Sequence, residues 1–291
     1  MNTKRKGLIH ELARHAVKKL PTPIPQMLRA GIDLGYLPNY WRPRSFNEKI
    51  GWQLLNRRDQ RWVRLADKLA VKDYVRALCP SVRIPQTFTV ATDAAGLDFK
   101  SVPDVAVVKA THGSGLVHVV EKHQAGQHLR EYDKWLELKP WDIDWEWHYN
   151  GIVPRLYVEE FIGHDIDSSV PDYKLIVVNG KVLFTQVFVN RNKGALRLMY
   201  DRDWSRLPIF RSRREAQLLS RLEDIPRPNR LNEMYTIAER LGKSFPVVRV
   251  DLYYVDEEIW FGELTFSPSA GRSPFYPKEY DFLIGRQISL K

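Results

Sequence analysis

Residues 247–266 read Val-Val-Arg-Val-Asp-Leu-Tyr-Tyr-Val-Asp-Glu-Glu-Ile-Trp-Phe-Gly-Glu-Leu-Thr-Phe, and the fold turns on this stretch. Val247 to Val255 alternates as a strand does, Asp256-Glu257-Glu258 makes a plausible three-residue turn, and Ile259 to Phe266 reads as the returning strand. With Glu257 at the centre of the turn, Asp251 faces Glu263 and Arg249 faces Thr265. Opposed residues share a face with Cβ atoms about 4.5–5.5 Å apart, and like charges so placed repel unless something offsets them. A divalent cation would do so, since Mg²⁺ takes oxygen ligands, typically one or two carboxylates plus nucleotide phosphates. The competing readings are that both carboxylates point to solvent, or that Arg249 neutralises one. A one-residue slip would change which residues face each other.

Outward from this hairpin the period is mostly strand-like: Gln86 to Val90, Val105 to Lys109, Val117 to Glu121, Tyr157 to Phe161, Tyr173 to Val178 and Val182 to Val189. Helices are expected at about Arg213 to Leu222 and Leu231 to Leu241. Before Pro80 the pattern is helical, with a capping-box spacing at Ser45 and Glu48 and a further helical stretch over roughly Arg61 to Leu78. Residues 1–20 carry Leu8, Ile9, Leu12, Ala16 and Leu20 at helical spacing among Lys4, Arg5, Lys6, Arg14, Lys18 and Lys19, a basic amphipathic helix for either a membrane surface or the protein's own body. Pro21 to Pro25 breaks it. The class is α+β, with a helical N-terminal third followed by mostly antiparallel sheets.

Composition narrows the function classes. Hydrophobic residues at 44% and aromatics at 12% supply a core, and the longest apolar runs fall far short of the roughly 20 residues of a membrane span. No apolar stretch follows the basic N-terminus to serve as a signal-peptide core, so a cytoplasmic location is expected. Cys79 is the sole cysteine, which excludes an internal disulfide and a cysteine-built metal site. A formal charge of +10 favours polyanionic partners: nucleotides, anionic lipid or an acidic polysaccharide. Nucleic acid is not the expected partner, because zinc-finger spacing, an aromatic RNA-binding motif and a long basic tail are all missing.

Three further segments carry candidate chemistry. Val105 to Lys109 is a strand leading into Ala110-Thr111-His112-Gly113-Ser114-Gly115, where Gly113 and Gly115 allow close backbone approach to a phosphate and Lys109 adds charge. It is neither a P-loop nor a dinucleotide fingerprint, and a plain turn competes. His112 reads as a contact to a phosphate or to the substrate, or as a loop histidine without a chemical role. Tyr157 to Asp165 joins an apolar strand, whose edge can offer backbone groups to adenine, to an acidic loop. Asp172-Tyr-Lys174 opens a hairpin that turns at Asn179-Gly180. Trp135, Trp141, Trp145 and Trp147 cluster as a core, a lobe interface or a sugar-stacking surface.

The order Lys109, glycine loop, Glu159-Glu160-Phe161-Ile162, Lys174, Arg249-Val250-Asp251 and Glu263-Leu264-Thr265 resembles the ATP-grasp superfamily. Within it the chain is similar to the TupA-like group, associated with teichuronopeptide and other surface polysaccharides, through Ser45 to Ile50, Asp67-Lys68, His112 to Gly115, Asp172 to Lys174, Asn179 to Lys181 and Gly262 to Phe266. The resemblance implies a helical region at 1–85, a small lobe with the glycine loop at 86–165 and a large lobe with the metal site at 166–291, holding ATP between two antiparallel sheets. It implies Lys109 on the α- and β-phosphates, Gly113 to Gly115 over the γ-phosphate, Glu159 to Ile162 as adenine hinge, and Asp165 or Glu160 on the ribose. Asp251 and Glu263 would bind one or two Mg²⁺, with Thr265 where the family usually has Asn, and Lys174 and Arg249 would stabilise the transferred phosphoryl group. The implied activity is a carboxylate–amine ligase joining an amine donor to a uronic acid of a surface polysaccharide or its precursor; the basic amphipathic N-terminus would allow peripheral association with an anionic membrane. The alternatives are a sugar kinase on the same fold and a non-catalytic glycan- or lipid-binding protein.

Overall fold

The computed structural model describes residues 22–139, 145–164, 166, 170–189, 196–220 and 222–290. The helix read in residues 1–20, Trp141 and Asp165 lie outside them. Helices α1 (Ile24–Leu34), α2 (Phe46–Asn56), α3 (Arg61–Ala66) and α4 (Val71–Leu78) precede the first sheet. Its strands β1 (Thr87–Ala91), β2 (Val105–Ala110), β3 (Val117–Glu121) and β4 (Leu156–Glu160) run antiparallel in the order β1-β4-β2-β3, with α5 (Leu129–Glu137) against one face. The second sheet, β5 (Asp172–Val178), β6 (Lys181–Val189), β7 (Leu196–Tyr200), β8 (Val247–Val255) and β9 (Glu258–Thr265), is antiparallel in the order β7-β6-β5-β8-β9. Helices α6 (Arg213–Leu219), α7 (Leu231–Gly242) and α8 (Glu279–Arg286) complete the described α-helices.

Strand β5 is buried on both faces, which explains its unbroken apolar run. Leu175 and Val177 pack with Met234, Ala238 and Leu241 of α7, while Ile176 and Val178 join Phe46, Ile50 and Ile284 of α2 and α8. The capping box at α2 forms as expected: the Ser45 hydroxyl accepts from the Glu48 amide at 3.1 Å, and Glu48 accepts from the Ser45 amide at 2.9 Å. Among the described residues, no helix is long and apolar enough to cross a membrane.

Several local expectations need correction. The single helical stretch over 61–78 is two helices, because the Asp67 carboxylate turns to accept the amides of Leu69 and Ala70 at 2.8 and 3.1 Å. Helix α1, β7, α5 and α8 are not among the elements expected from the sequence; α1 starts within the proline-rich stretch read as a helix breaker, with Pro25 in its first turn. The β8–β9 turn has two residues, Asp256 and Glu257, both at positive φ, and Glu258 already pairs with Val255. A bulge at Gly262 then shifts the register back, so that Asp251 does face Glu263 and Arg249 does face Thr265.

Candidate functional site

Three strands of the second sheet put charge on one row. Lys174 of β5 pairs with Asp251 of β8, which pairs with Glu263 of β9. The Lys174 ammonium donates to Asp251 and, at 2.9 Å, to Asp172 two residues earlier on its own strand. Arg249, on the same face as Asp251, donates from Nε to Oδ1 at 2.6 Å and from Nη2 to Oδ2 at 2.7 Å, and Nη2 also reaches Glu263 Oε1 at 2.8 Å. Three carboxylates and two cations are thus knitted together with Asp172, Lys174 and Asp251 all buried. Burial pushes the Asp251 carboxyl up, against the pull of Arg249 and Lys174. Burial acts the same way on Glu263, but the surrounding Lys68, Arg249, Lys174 and Lys109 outweigh it and hold that carboxyl at about 2. The Arg249 guanidinium, despite burial, is raised by Asp251 and Glu263 and stays charged.

The first sheet contributes the facing wall. Gly113 and Gly115 take φ of 72° and 77°, the left-handed conformation that admits glycine without strain, and so turn the chain sharply between β2 and β3. Lys68, released from helix by the Asp67 turn, donates to the Gly113 carbonyl at 2.6 Å, and burial lowers its pKa while Glu263 opposes that. Lys109 is tied to Glu159, which also accepts from Lys72 at 2.9 Å; burial would raise the Glu159 carboxyl, yet the two ammonium groups keep it depressed. His112 is buried, bonded through Nε2 to the Leu138 carbonyl at 3.2 Å, and its pKa is lowered by burial, so it sits behind the loop as a neutral support.

Between these walls lies a cleft of about 320 Å³. Ser114 of the glycine loop lines one side, and Arg249, Glu263 and Thr265 line the other. Tyr149 and Arg272 complete its rim, Arg272 being held by Asp33 of α1 at 2.7 Å. Lys109 and Lys174 stand back from the cleft in their ion pairs. In the segment expected to form an adenine hinge, the Glu160 amide donates to the Gln86 carbonyl at 2.9 Å, and Glu159 is turned into the small-lobe ion pair, which leaves Phe161 and Ile162 as the segment that emerges from the sheet.

The donor set can be weighed against Mg²⁺. Both oxygens of Asp251 are taken by Arg249 and Lys174, so the repulsion between the paired carboxylates is offset by a guanidinium, and Asp251 is not presented as a ligand in this arrangement. Glu263 is different: among the described residues only its Oε1 is bonded, to Arg249 and, at 3.4 Å, to the Thr265 hydroxyl, and Glu263 lines the cleft. One carboxylate with nucleotide phosphates is enough for Mg²⁺. Among the described residues there is no group of three or more His, Cys, Asp and Glu that could hold a metal without such phosphates.

Sequence reading gave no role to Lys68, Lys72, Asp172, Tyr149 or Arg272. Asp67-Lys68 was visible as a motif, and the signal that could have placed Lys68 is an aspartate able to end a helix immediately before it. Lys72 and Asp172 become informative only once their burial is known.

Two antiparallel sheets that bring charged side chains to one cleft are the ATP-grasp fold. The chain belongs to the TupA-like ATP-grasp family, whose sequence model matches residues 48–289. No curated protein gives a match. Among solved structures, the chain is similar to the ATP-grasp ligase PsnB complexed with its minimal precursor, at 12% identity and a TM-score of 0.42, covering 73% of this chain and 56% of that one. It is also similar to the D-alanine–D-alanine ligase of Bacillus anthracis complexed with ATP, at 14% identity, TM-score 0.41 and coverage of 78% and 68%. The N5-carboxyaminoimidazole ribonucleotide synthetase of Thermus thermophilus follows at 15% identity, TM-score 0.41 and coverage of 69% and 45%. The chain spans little more than half the length of PsnB. The family match, rather than these distant likenesses, carries the assignment.

Proposed function

We propose that this chain is an ATP-dependent carboxylate–amine ligase that attaches an amino acid or amine to a uronic acid of a surface polysaccharide or its precursor. The observation that carries the reading is the cleft itself, in which Ser114 of the glycine loop faces Arg249 and Glu263, in a chain of ATP-grasp family. A carboxylate oxygen of the acceptor attacks the γ-phosphorus and ADP leaves; the amine then attacks the acyl carbon and inorganic phosphate leaves. Such chemistry asks the protein for positioning and charge neutralisation, not for a nucleophile. Lys109 serves the α- and β-phosphates on leaving Glu159, the Gly113 to Gly115 loop covers the γ-phosphate, and Arg249 and Lys174 neutralise the transferred group. Phe161 and Ile162 bound the adenine, and Glu160 or Asp165 meets the ribose. Glu263, with the phosphates, would hold magnesium, which would supply further charge neutralisation. The +10 charge suits an acidic glycan.

Calorimetry of ATP binding with and without Mg²⁺, on the wild type and on Glu263→Gln, tests the nucleotide site. Mg²⁺ should tighten wild-type binding, and the variant should lose that gain. Incubation with glucuronic acid and an amino acid should then yield an amide with ADP and phosphate. A stable sugar phosphate without amide would overturn the ligase reading, and failure to bind nucleotide under any metal condition would overturn the catalytic one.

A further inference from the structure

Away from the cleft, the approach to α2 and helix α8 enclose a pocket of about 290 Å³ lined by Pro43, Arg44, Lys49, Phe282 and Arg286. Its chemistry is one-sided. Lys49 is fixed by bonds to the Gly285 and Ile288 carbonyls at 2.7 and 2.5 Å, while the guanidinium groups of Arg44 and Arg286 have no side-chain partner among the described residues. Among the described residues no carboxylate lines the pocket. The acids nearest in the chain are engaged elsewhere: Glu48 accepts the amides of Asn39, Arg44 and Ser45, Asp281 accepts from Tyr36 and Asn47, and both are buried; Glu279 is exposed on the first turn of α8. Lys278 adds a further cation, 4.2 Å above the Tyr36 ring, which itself lies 5.7 Å from Phe282.

Beside these cations stand large apolar side chains that the fold leaves in solvent. Leu37 is 63% exposed, Trp41 64% and Leu283 48%; Trp41 is three residues from Arg44, Leu37 follows Tyr36, and Leu283 follows Phe282. A soluble polyanion would engage the cations and leave the apolar groups wet. A bilayer surface engages both, with phosphate at the guanidinium groups, aliphatic side chains in the acyl boundary and tryptophan at the interface. Residues 1–21, which lead into α1 at this end of the chain, hold six Lys and Arg against one Glu.

We propose that this face docks the protein on an anionic phospholipid bilayer, the Arg44, Lys49 and Arg286 pocket seating a headgroup phosphate diester while Leu37, Trp41 and Leu283 enter the interface. This stands independently of the nucleotide chemistry.

The test is co-sedimentation of the full chain with vesicles of phosphatidylglycerol and phosphatidylcholine, against phosphatidylcholine alone. The wild type should partition onto the anionic vesicles only, and Arg44→Glu with Arg286→Glu should lower the partition coefficient at least about tenfold. Trp41→Ser should lower it severalfold, and Lys134→Glu with Lys139→Glu, the same change of charge in the small lobe, should leave it within about twofold. Should the charge reversal fail to fold by circular dichroism, the Arg44→Gln, Arg286→Gln pair carries the same test at smaller amplitude. Absence of wild-type binding to anionic vesicles, or equal losses in the two double reversals, would overturn the proposal. So would Arg44- and Arg286-dependent binding to soluble polygalacturonate without binding to vesicles, which would assign the face to a glycan.

Discussion

Arg249 and Asp251 stand two residues apart on one strand and close on each other through two hydrogen bonds of 2.6 and 2.7 Å, and the same guanidinium reaches across to Glu263 at 2.8 Å. One side chain is therefore the counter-ion for both carboxylates of the β8–β9 pair. Removing a single member of a buried ion pair leaves an uncompensated charge, at a cost of about 3–5 kcal/mol. Arg249→Met should lose stability on that scale in urea denaturation and should lose nucleotide binding. Arg249→Met with Asp251→Asn should recover a large part of the stability and none of the binding. If the double variant is no more stable than the single one, the guanidinium is not acting as the counter-ion of Asp251.

Lys109 and Glu159 separate binding from folding on the other wall. With Lys109 replaced by Met, Glu159 keeps its 2.9 Å partner Lys72, so stability should fall by only about 1–2 kcal/mol while ATP affinity drops more than about tenfold, the phosphates having lost a charge-assisted partner. Glu159→Gln reverses the pattern: two ammonium groups lose their shared carboxylate, and the loss of stability should exceed that of Lys109→Met. Equal stability losses in the two variants, read from urea midpoints, would show that Glu159 is not what holds the pair of lysines.

His148 sets an acid limit on the fold. It is fully buried, its ring lies edge-on to Trp62 and Trp147 with centroids 5.8 Å away, neither ring nitrogen has a hydrogen-bond partner among the described residues, and burial pulls its pKa down to about 3. The unfolded chain takes up the proton near pH 6.5 and the folded chain does not, so stability falls as pH drops from about 6.5 toward 3, by about 2 kcal/mol at pH 5 from this group. Glu263 has the opposite cause and the same direction: its depressed carboxyl stabilises the fold above the ordinary carboxylate range, and that contribution is lost as pH falls through the range toward about 2. Between pH 7 and 5 the histidine dominates. His148→Leu should flatten the dependence of the urea midpoint over that interval, and an unchanged slope would assign the acid sensitivity elsewhere.

Where local chemistry is explicit, the chain can be read directly. Asn179-Gly180 takes φ of 48° and 77° and makes the expected two-residue hairpin between Val178 and Lys181, and Ser45 with Glu48 caps α2. Asp256 and Glu257 adopt a similarly left-handed turn without a glycine to announce it, so the turn reads one residue too long. The paired carboxylates were nonetheless located, because the bulge at Gly262 adds back the residue that the shorter turn removes. Two unread features cancel. The roles of Lys72 and Arg272 are illegible for another reason: an ordinary position becomes a site position through a partner distant in sequence, 87 residues away for Lys72 with Glu159 and 239 away for Arg272 with Asp33.

That cancellation makes Gly262 the residue that sets the site's register. A Cβ there would lie 3.0 Å from the Tyr253 ring and 3.1 Å from the Asp251 carbonyl, tighter than ordinary packing and partly against backbone. Gly262→Ala must therefore open the bulge or push β9 away from β8, and either response moves Glu263 relative to Asp251 and Arg249. The expected cost is about 1–3 kcal/mol of stability, with at least a tenfold loss of Mg²⁺-dependent ATP affinity because the Arg249 clamp to Glu263 opens. Gly126, where an added Cβ would meet nothing within 4 Å, provides the contrast: Gly126→Ala should stay within about 0.5 kcal/mol of the wild type. If Gly262→Ala binds nucleotide as the wild type does, the bulge is a passive feature of the hairpin and the position of Glu263 is fixed by its neighbours alone.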